Sequence, residues 1–305
     1  MPELAFVCLT HPHADHYSGL SEILRAYEGK IEELWMFQLD SAHWRRYLTV
    51  QKHAATAAPR LRNFEELVEI FRHLKRFLKS GRLRCLRADM TLPDRGPVGI
   101  DCLAPHPKTL GPYQQALAKC AEQPTSYQAD ENLLSVVLRF RYGKSTLLLG
   151  ADAPKMSWLD IYRESKKRGQ ILQPDLVKVS HHGSLDAFHS EVWKHMARPG
   201  SIHAAISADP REYGHPDKQV IMSLSEMRVR LHCTNHSSYC LKLSQRDLSK
   251  LRGLSDRLRI TLFMLDQTSN APLVPCNGDL HFEIAADGTV NFNHQFNGLC
   301  PLHLV

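Results

Sequence analysis

The chain has no CxxC pair among its eight cysteines (Cys8, Cys85, Cys102, Cys120, Cys233, Cys240, Cys276 and Cys300). A zinc ribbon and a dense disulfide framework are therefore not expected, and reduced thiols in a cytoplasm are the simplest reading. No apolar run approaches the ~20 residues that a membrane span needs. No basic stretch followed by an apolar core opens the chain, so no secretory leader is expected. The location read from these absences is cytoplasmic, with no membrane partner. No internal repeat and no low-complexity tract is present. What remains is 305 residues, 43% hydrophobic and 23% charged, enough for one large domain or a domain with a small appendage. The formal charge of +6 tolerates an anionic partner. Histidine, by contrast, is plentiful at eighteen residues, and where these sit matters more than their number.

Apolar runs rich in strand formers predict strands at 4–9, 31–37 and 98–105. Leu20, Ile23, Leu24 and Tyr27 recur at helical spacing, so 18–28 reads as an amphipathic helix. Phe64, Leu67, Phe71, Leu74 and Leu78 give 60–80 the same period. The outer face and exit of that helix are basic: Arg72, Lys75, Arg76, Lys79, Arg82, Arg84 and Arg87. Such a run is either a solvated helix face or a contact for nucleic acid. A short helix is expected near 113–121. Residues 135–140 and 145–150 flank Tyr142-Gly143-Lys144 in a hairpin pattern. Further short strands are expected at 175–180 and 203–207, and a helix opening at Pro216 over 216–229. Residues 230–234 and 239–244 read as a final hairpin. A polar link at 245–255 then precedes β-rich sequence at 259–265 and 280–293, with a turn at Asp287-Gly288. The fold class expected is α+β, in an α/β/β/α arrangement.

The segment "HPHADH" places His11, His13, Asp15 and His16 within six positions, just after a predicted strand. Imidazole and carboxylate suit zinc, manganese or iron. In an extended loop His11 and His13 project to one side and can grip one ion. As the chain turns into a helix, Asp15 and His16 can face a second. Two adjacent metals need ligands from elsewhere, and a bridging carboxylate is the natural supplement. Asp152 stands just beyond the strand in "TLLLGADAP", where its bland alternative is a helix N-cap. His181 and His182 end the strand in "LVKVSHHGS". His215 lies in the loop "EYGHP".

This pattern resembles the metallo-β-lactamase superfamily. The "THPHADH" cluster is its most specific mark. "SVVLRFRYGKSTLLLGAD", "DLVKVSHHGS" and "YGHP" narrow the resemblance to the C-terminal hydrolase domain of ComEC-type competence proteins and their free-standing relatives. The similar features run from about residue 4 to 245, which sets a hydrolase domain over 1–245 and a C-terminal β-rich extension over 246–305. The resemblance implies that His11 and His13 hold one metal. It implies that Asp15, His16 and a histidine of the 181/182 pair hold the other, with His181 favoured and His182 beside it. Asp152 would bridge. Asn132 and Ser135 match the N-x-x-S pattern ahead of the central hairpin, and His215 becomes a proton donor or phosphate contact. The usual third histidine of the first metal has no obvious counterpart. His106 is available, or Asn132 or water completes that site. A further departure is that the family places a hairpin, with "GQGDS" and "DGG" segments, before the cluster, and here one strand precedes it. Upstream sequence, a protein partner, a second copy of the chain, or the segment 259–293 is expected to cover that sheet edge.

The activity implied is metal-dependent hydrolysis by a metal-bound hydroxide, with two divalent ions, zinc or alternatively manganese, as cofactors. Asp15, Asp152 and His215 would be catalytic. A phosphodiester in DNA or RNA is the expected substrate, with Lys178, Ser184 and Asn132 contacting it. A small nucleotide or ester is the alternative, and so is a non-catalytic, metal-stabilised subunit of a larger assembly.

Overall fold

A computed structural model of the chain describes residues 2–57, 61–90, 92–123, 129–170, 172–198, 201–208, 214–234 and 280–294. The strands expected at 239–244 and 259–265, the polar link, and the boundary at 245 lie outside the described residues. The fold is mixed α+β. It divides into two compact units, residues 1–139 with 151–153, and residues 140–150 with 154–305.

The first unit opens with β1 (Leu4–Leu9), α1 (Ala14–Tyr17), α2 (Leu20–Ala26) and β2 (Ile31–Phe37). Then come α3 (Ser41–Ala57), α4 (Leu61–Lys79), β3 (Leu83–Leu86), β4 (Val98–Ala104) and α5 (Pro107–Glu122). Strands β1, β2 and β3 pair in that order, all parallel. The central strand β2 carries Leu34, Trp35, Met36 and Phe37, all fully buried. A parallel strand covered on both faces has no reason to alternate, which is why it reads as a continuous apolar run. Leu67, Ile70 and Leu74 of α4 fill the core at helical spacing. In the first turns of α3 Trp44 and Tyr47 are buried, with exposed Arg45 and Arg46 between them. Two aromatics make too thin a period to announce the helix, and the sequence reading has no counterpart for it.

The chain passes between units within β5 (Val137–Tyr142) and turns at Gly143 and Lys144 into β6 (Ser145–Leu149). The second unit continues with α6 (Lys155–Lys167), β7 (Leu176–Lys178), α7 (Ser190–Met196), β8 (His203–Ile206), α8 (Lys218–Glu226) and β9 (Arg230–Cys233). β6, β7, β8 and β9 pair in sequence, all parallel, with a helix in each crossover. Strand β9 extends this parallel sheet beside β8; the second strand of the hairpin expected from it lies outside the described residues. Pro216 does not open α8. The helix starts at Lys218, and Asp217 caps it by accepting from the Gln219 amide at 2.8 Å. The last described elements, β10 (Leu280–Ile284) and β11 (Val290–His294), form a two-stranded antiparallel sheet. Its turn is held by Asp287, which accepts from the Thr289 amide, and its Phe282 and Phe292 pack on His232. Among the described residues no helix is long and apolar enough to cross a membrane.

Candidate metal centre

β1 ends at Leu9, the chain bends at His11, and His13 is extended just before α1 begins. The Thr10 carbonyl accepts from the Val136 amide at 3.1 Å, which ties this loop to the lead-in of β5. The amides of His16 and Tyr17 bond to the His13 carbonyl, so Asp15 and His16 occupy the first turn of α1. The Thr10 hydroxyl lies 3.3 Å from His11 Nδ1 and 3.4 Å from His16 Nδ1. Both rings thus direct Nε2 at Asp152, at 3.7 Å for His11 and 3.2 Å for His16. Asp15 is 3.5 Å from His16 Nε2. Asp152 is 1% exposed, and it is not a helix cap: Pro154 stands at that position before α6.

Two donor sets result within this unit. His11, His13 and Asp152 each offer a ligand atom within 4.8 Å of the others, and so do Asp15, His16 and Asp152. Asp152 belongs to both. Two donors bound to one tetrahedral ion at ~2.1 Å stand ~3.4 Å apart. The separations from 3.2 to 3.7 Å between these side chains match that spacing. His11 Nε2 is buried and makes no hydrogen bond among the described residues, a state that buried polar atoms rarely keep without a ligand. The nitrogen and oxygen donors fit a divalent ion such as zinc or manganese.

Burial, and then the neighbouring His16, hold the His11 pKa well below the ordinary imidazole range despite the Asp152 carboxylate. His11 is therefore neutral at physiological pH, the form that donates a lone pair to a metal. His13 moves the other way. Burial opposes its charge, but Glu131, with Oε2 3.7 Å from Nε2, outweighs that and raises its pKa. His106 joins neither set; its Nδ1 accepts from the Lys108 amide and caps α5. Asn132 Oδ1 and Ser135 Oγ are also buried without a hydrogen bond among the described residues.

The second unit gathers the other predicted side chains. His181, His182 and Gly183 all take left-handed backbone angles, with φ of 47°, 56° and 81°. Three successive residues of this kind need firm support. The Ser180 hydroxyl donates to the Gly150 carbonyl at 2.9 Å and accepts from Trp158 Nε1 at 2.9 Å. The Gly183 carbonyl accepts from the Asp217 amide at 2.9 Å. His182 Nδ1 lies 2.7 Å from the Ser207 carbonyl, and His181 meets the ring of His215 edge-on at 5.7 Å. Burial and the two neighbouring histidines lower the His215 pKa, so His215 is neutral at physiological pH. Ser184 is buried and accepts from the Asp186 amide, and Lys178 Nζ donates to the Val179 carbonyl.

The chain matches no protein-family model and no curated protein. Three residues around the first cluster escape a sequence reading: Glu131, Tyr47 and Gln51. Glu131 was visible only as a charge beside Asn132, and the other two belong to α3. The basic stretch also looks different in place. Arg72 pairs with Glu69, Arg76 with Glu28 and Arg84 with Glu33. Lys75 lies over Phe71, and Arg82 over Phe77. Three of the seven cations in this stretch thus pair with carboxylates inside the unit.

Proposed function

We propose that the chain is a metal-dependent hydrolase with a metallo-β-lactamase-like α/β/β/α fold and that it cleaves a phosphodiester. The observation that carries the reading is the position of Asp152 in both donor sets. A single carboxylate shared by two imidazole-containing sets is the arrangement a binuclear site needs. His11, His13 and Asp152 would hold one ion, and Asp15, His16 and Asp152 the other. Such ions, when bound, activate water near neutral pH and offset charge on a phosphoryl oxygen. The chain's own part is to keep His11 neutral and to hold Asp152 out of bulk water. His215 would serve as a proton donor or as a contact for a phosphoryl oxygen. Ser184, buried and capping its own turn, is placed to shape that loop.

The test is metal content and turnover of an activated phosphodiester, DNA and RNA, compared among wild type, Asp152→Ala and His13→Ala. About two ions per chain, falling in Asp152→Ala together with hydrolysis, is the expected result. Hydrolysis that persists in both variants overturns the reading.

The ion pairs of Arg72, Arg76 and Arg84 favour a second reading, in which the substrate is a small nucleotide or ester rather than a polymer. A profile restricted to polymers would exclude it.

A further inference from the structure

We propose that His203 and His232 form a proton-sensitive clasp: neutral and bonded to each other, they hold the hairpin β10–β11 on its sheet, and acid loosens it about its turn. The inference is independent of the metal reading. Both histidines are buried, on the neighbouring strands β8 and β9. His203 Nδ1 stands 3.0 Å from His232 Nε2, and the two rings are nearly parallel. Arg230 Nη1 lies 3.4 Å from His203 Nε2. Phe282 meets both rings edge-on, at 6.1 Å for His203 and 5.1 Å for His232, and Phe292 lies 4.0 Å from His232. His281 and Glu283 alternate with Phe282 on β10 and are exposed. On β7, Leu176 stands in register with His203, and Lys178 with Ala205. Lys178 Nζ donates to the Val179 carbonyl, and the Asp175 carboxylate accepts from Arg198 and the Thr146 amide. A second attachment is made at the hairpin's turn. The Lys144 amide donates to the Ala286 carbonyl at 2.7 Å, and the Ser145 hydroxyl to the Ala285 carbonyl. A Cβ on Gly143 would collide with the Ala286 carbonyl. None of the groups in that attachment titrates between pH 5 and 8, so the turn is a hinge that acid leaves closed.

Arg230 sets the direction of the proton. A guanidinium donates and never accepts, so His203 Nε2, which faces it, carries the lone pair. The proton of His203 is then on Nδ1 and is given to His232 Nε2. One more proton finds no good place. On His203 Nε2 it meets the guanidinium. On His232 Nε2 it meets the N–H of His203, and two donors stand face to face. Burial adds its own penalty on the charged ring. Once the hairpin lifts, both rings reach water and protonate near the ordinary value of ~6.5. Docking is therefore complete above that pH and weakens as pH falls below it. The attraction of an aromatic face for a cation acts in the opposite sense, which gives the experiment a clear alternative sign. A two-stranded hairpin is marginal on its own in water, so a lifted β10–β11 exposes its amides.

The experiment is amide hydrogen exchange of the full chain at pH 7.5 and pH 5.0, read by mass spectrometry and corrected for the intrinsic dependence of exchange on pH. Wild type is expected to lose protection over residues 280–294 by about 10–30-fold, the factor by which an ordinary imidazole favours its charged form at pH 5.0. β6 and β7 should keep their protection. The double variant His203→Asn, His232→Gln places an amide donor opposite an amide acceptor with nothing to titrate, and its hairpin should be equally protected at both pH values. Arg230→Ala, at an exposed position, removes the charge that repels the proton and should make the drop shallower than in wild type. Wild-type protection over 280–294 that is unchanged or greater at pH 5.0 overturns the proposal. So does a loss shared by β6 and β7, which would mean that the sheet itself opens. A full drop in the double variant traces the effect to His281 or His294 and overturns it as well. Should the double variant fail to fold, wild type and Arg230→Ala decide, and a drop as steep in Arg230→Ala as in wild type counts against the clasp.

Discussion

Single residues carry the site in two different ways. His11, His13, Asp15 and His16 are near each other in sequence, so their donor chemistry was legible before any fold was known. Glu131 and Tyr47 reach the same place from far along the chain, and nothing local marks them. Two glycines show a third kind of constraint. A Cβ on Gly150 would stand 2.3 Å from Ser180 Oγ and 2.8 Å from the Lys178 carbonyl. A Cβ on Gly183 would stand 2.7 Å from Pro216 Cβ, on a residue with φ of +81°. Backbone strain and overpacking act together at Gly183, each of order 1–3 kcal/mol. Gly183→Ala is expected to lower unfolding free energy by about 2–4 kcal/mol in a urea titration, whereas Gly169→Ala, with open space around it, should pay only for its backbone angle. Equal losses in the two variants would show that the loop around Pro216 simply gives way.

Among the elements, legibility followed periodicity and flanking chemistry. α4 and β2 were readable because their buried residues recur at the spacing of a helix or fill a doubly covered strand. α3 was not, since its contribution rests on a few residues whose partners are distant. The strand at β9 was visible but its parallel pairing with β8 was not; an apolar run fixes neither its neighbour nor its direction. The role of α3 can be measured through one oxygen. Tyr47→Phe removes the donor to the Pro12 carbonyl and leaves that acceptor in a buried setting. The expected loss is about 1–2 kcal/mol of stability, read by chemical denaturation of the metal-free chain. It should come with weaker zinc binding, read by chelator competition. A loss of stability alone would confine the helix to a packing role.

At the scale of the whole molecule, the histidines tie stability to pH. In the metal-free chain His11, His73 and His215 have pKa values below the ordinary one, each mainly through burial. Each binds a proton more readily when unfolded. Their effect is absent above the unfolded value, ~6.5, and grows as pH falls below it, always against the fold. His13 has the opposite sign: its contribution is present below ~6.5 and is lost as pH rises through its higher folded value. With three groups against one, and His11 the most strongly displaced, the urea midpoint is expected to fall between pH 7 and pH 5. A midpoint that is flat or rises toward acid would mean that the His13–Glu131 pair outweighs the others. The left-handed step at 181–183 has a consequence of another kind. Glycine would carry less backbone strain there than either histidine does, set against the loss of contacts such as that of His182 Nδ1 with the Ser207 carbonyl. A library of variants sorted only for heat resistance would drift toward glycine wherever the strain outweighs such contacts, and the loop would lose imidazoles. Sorting for turnover would hold them in place, and the two populations would part company at this one corner of the chain.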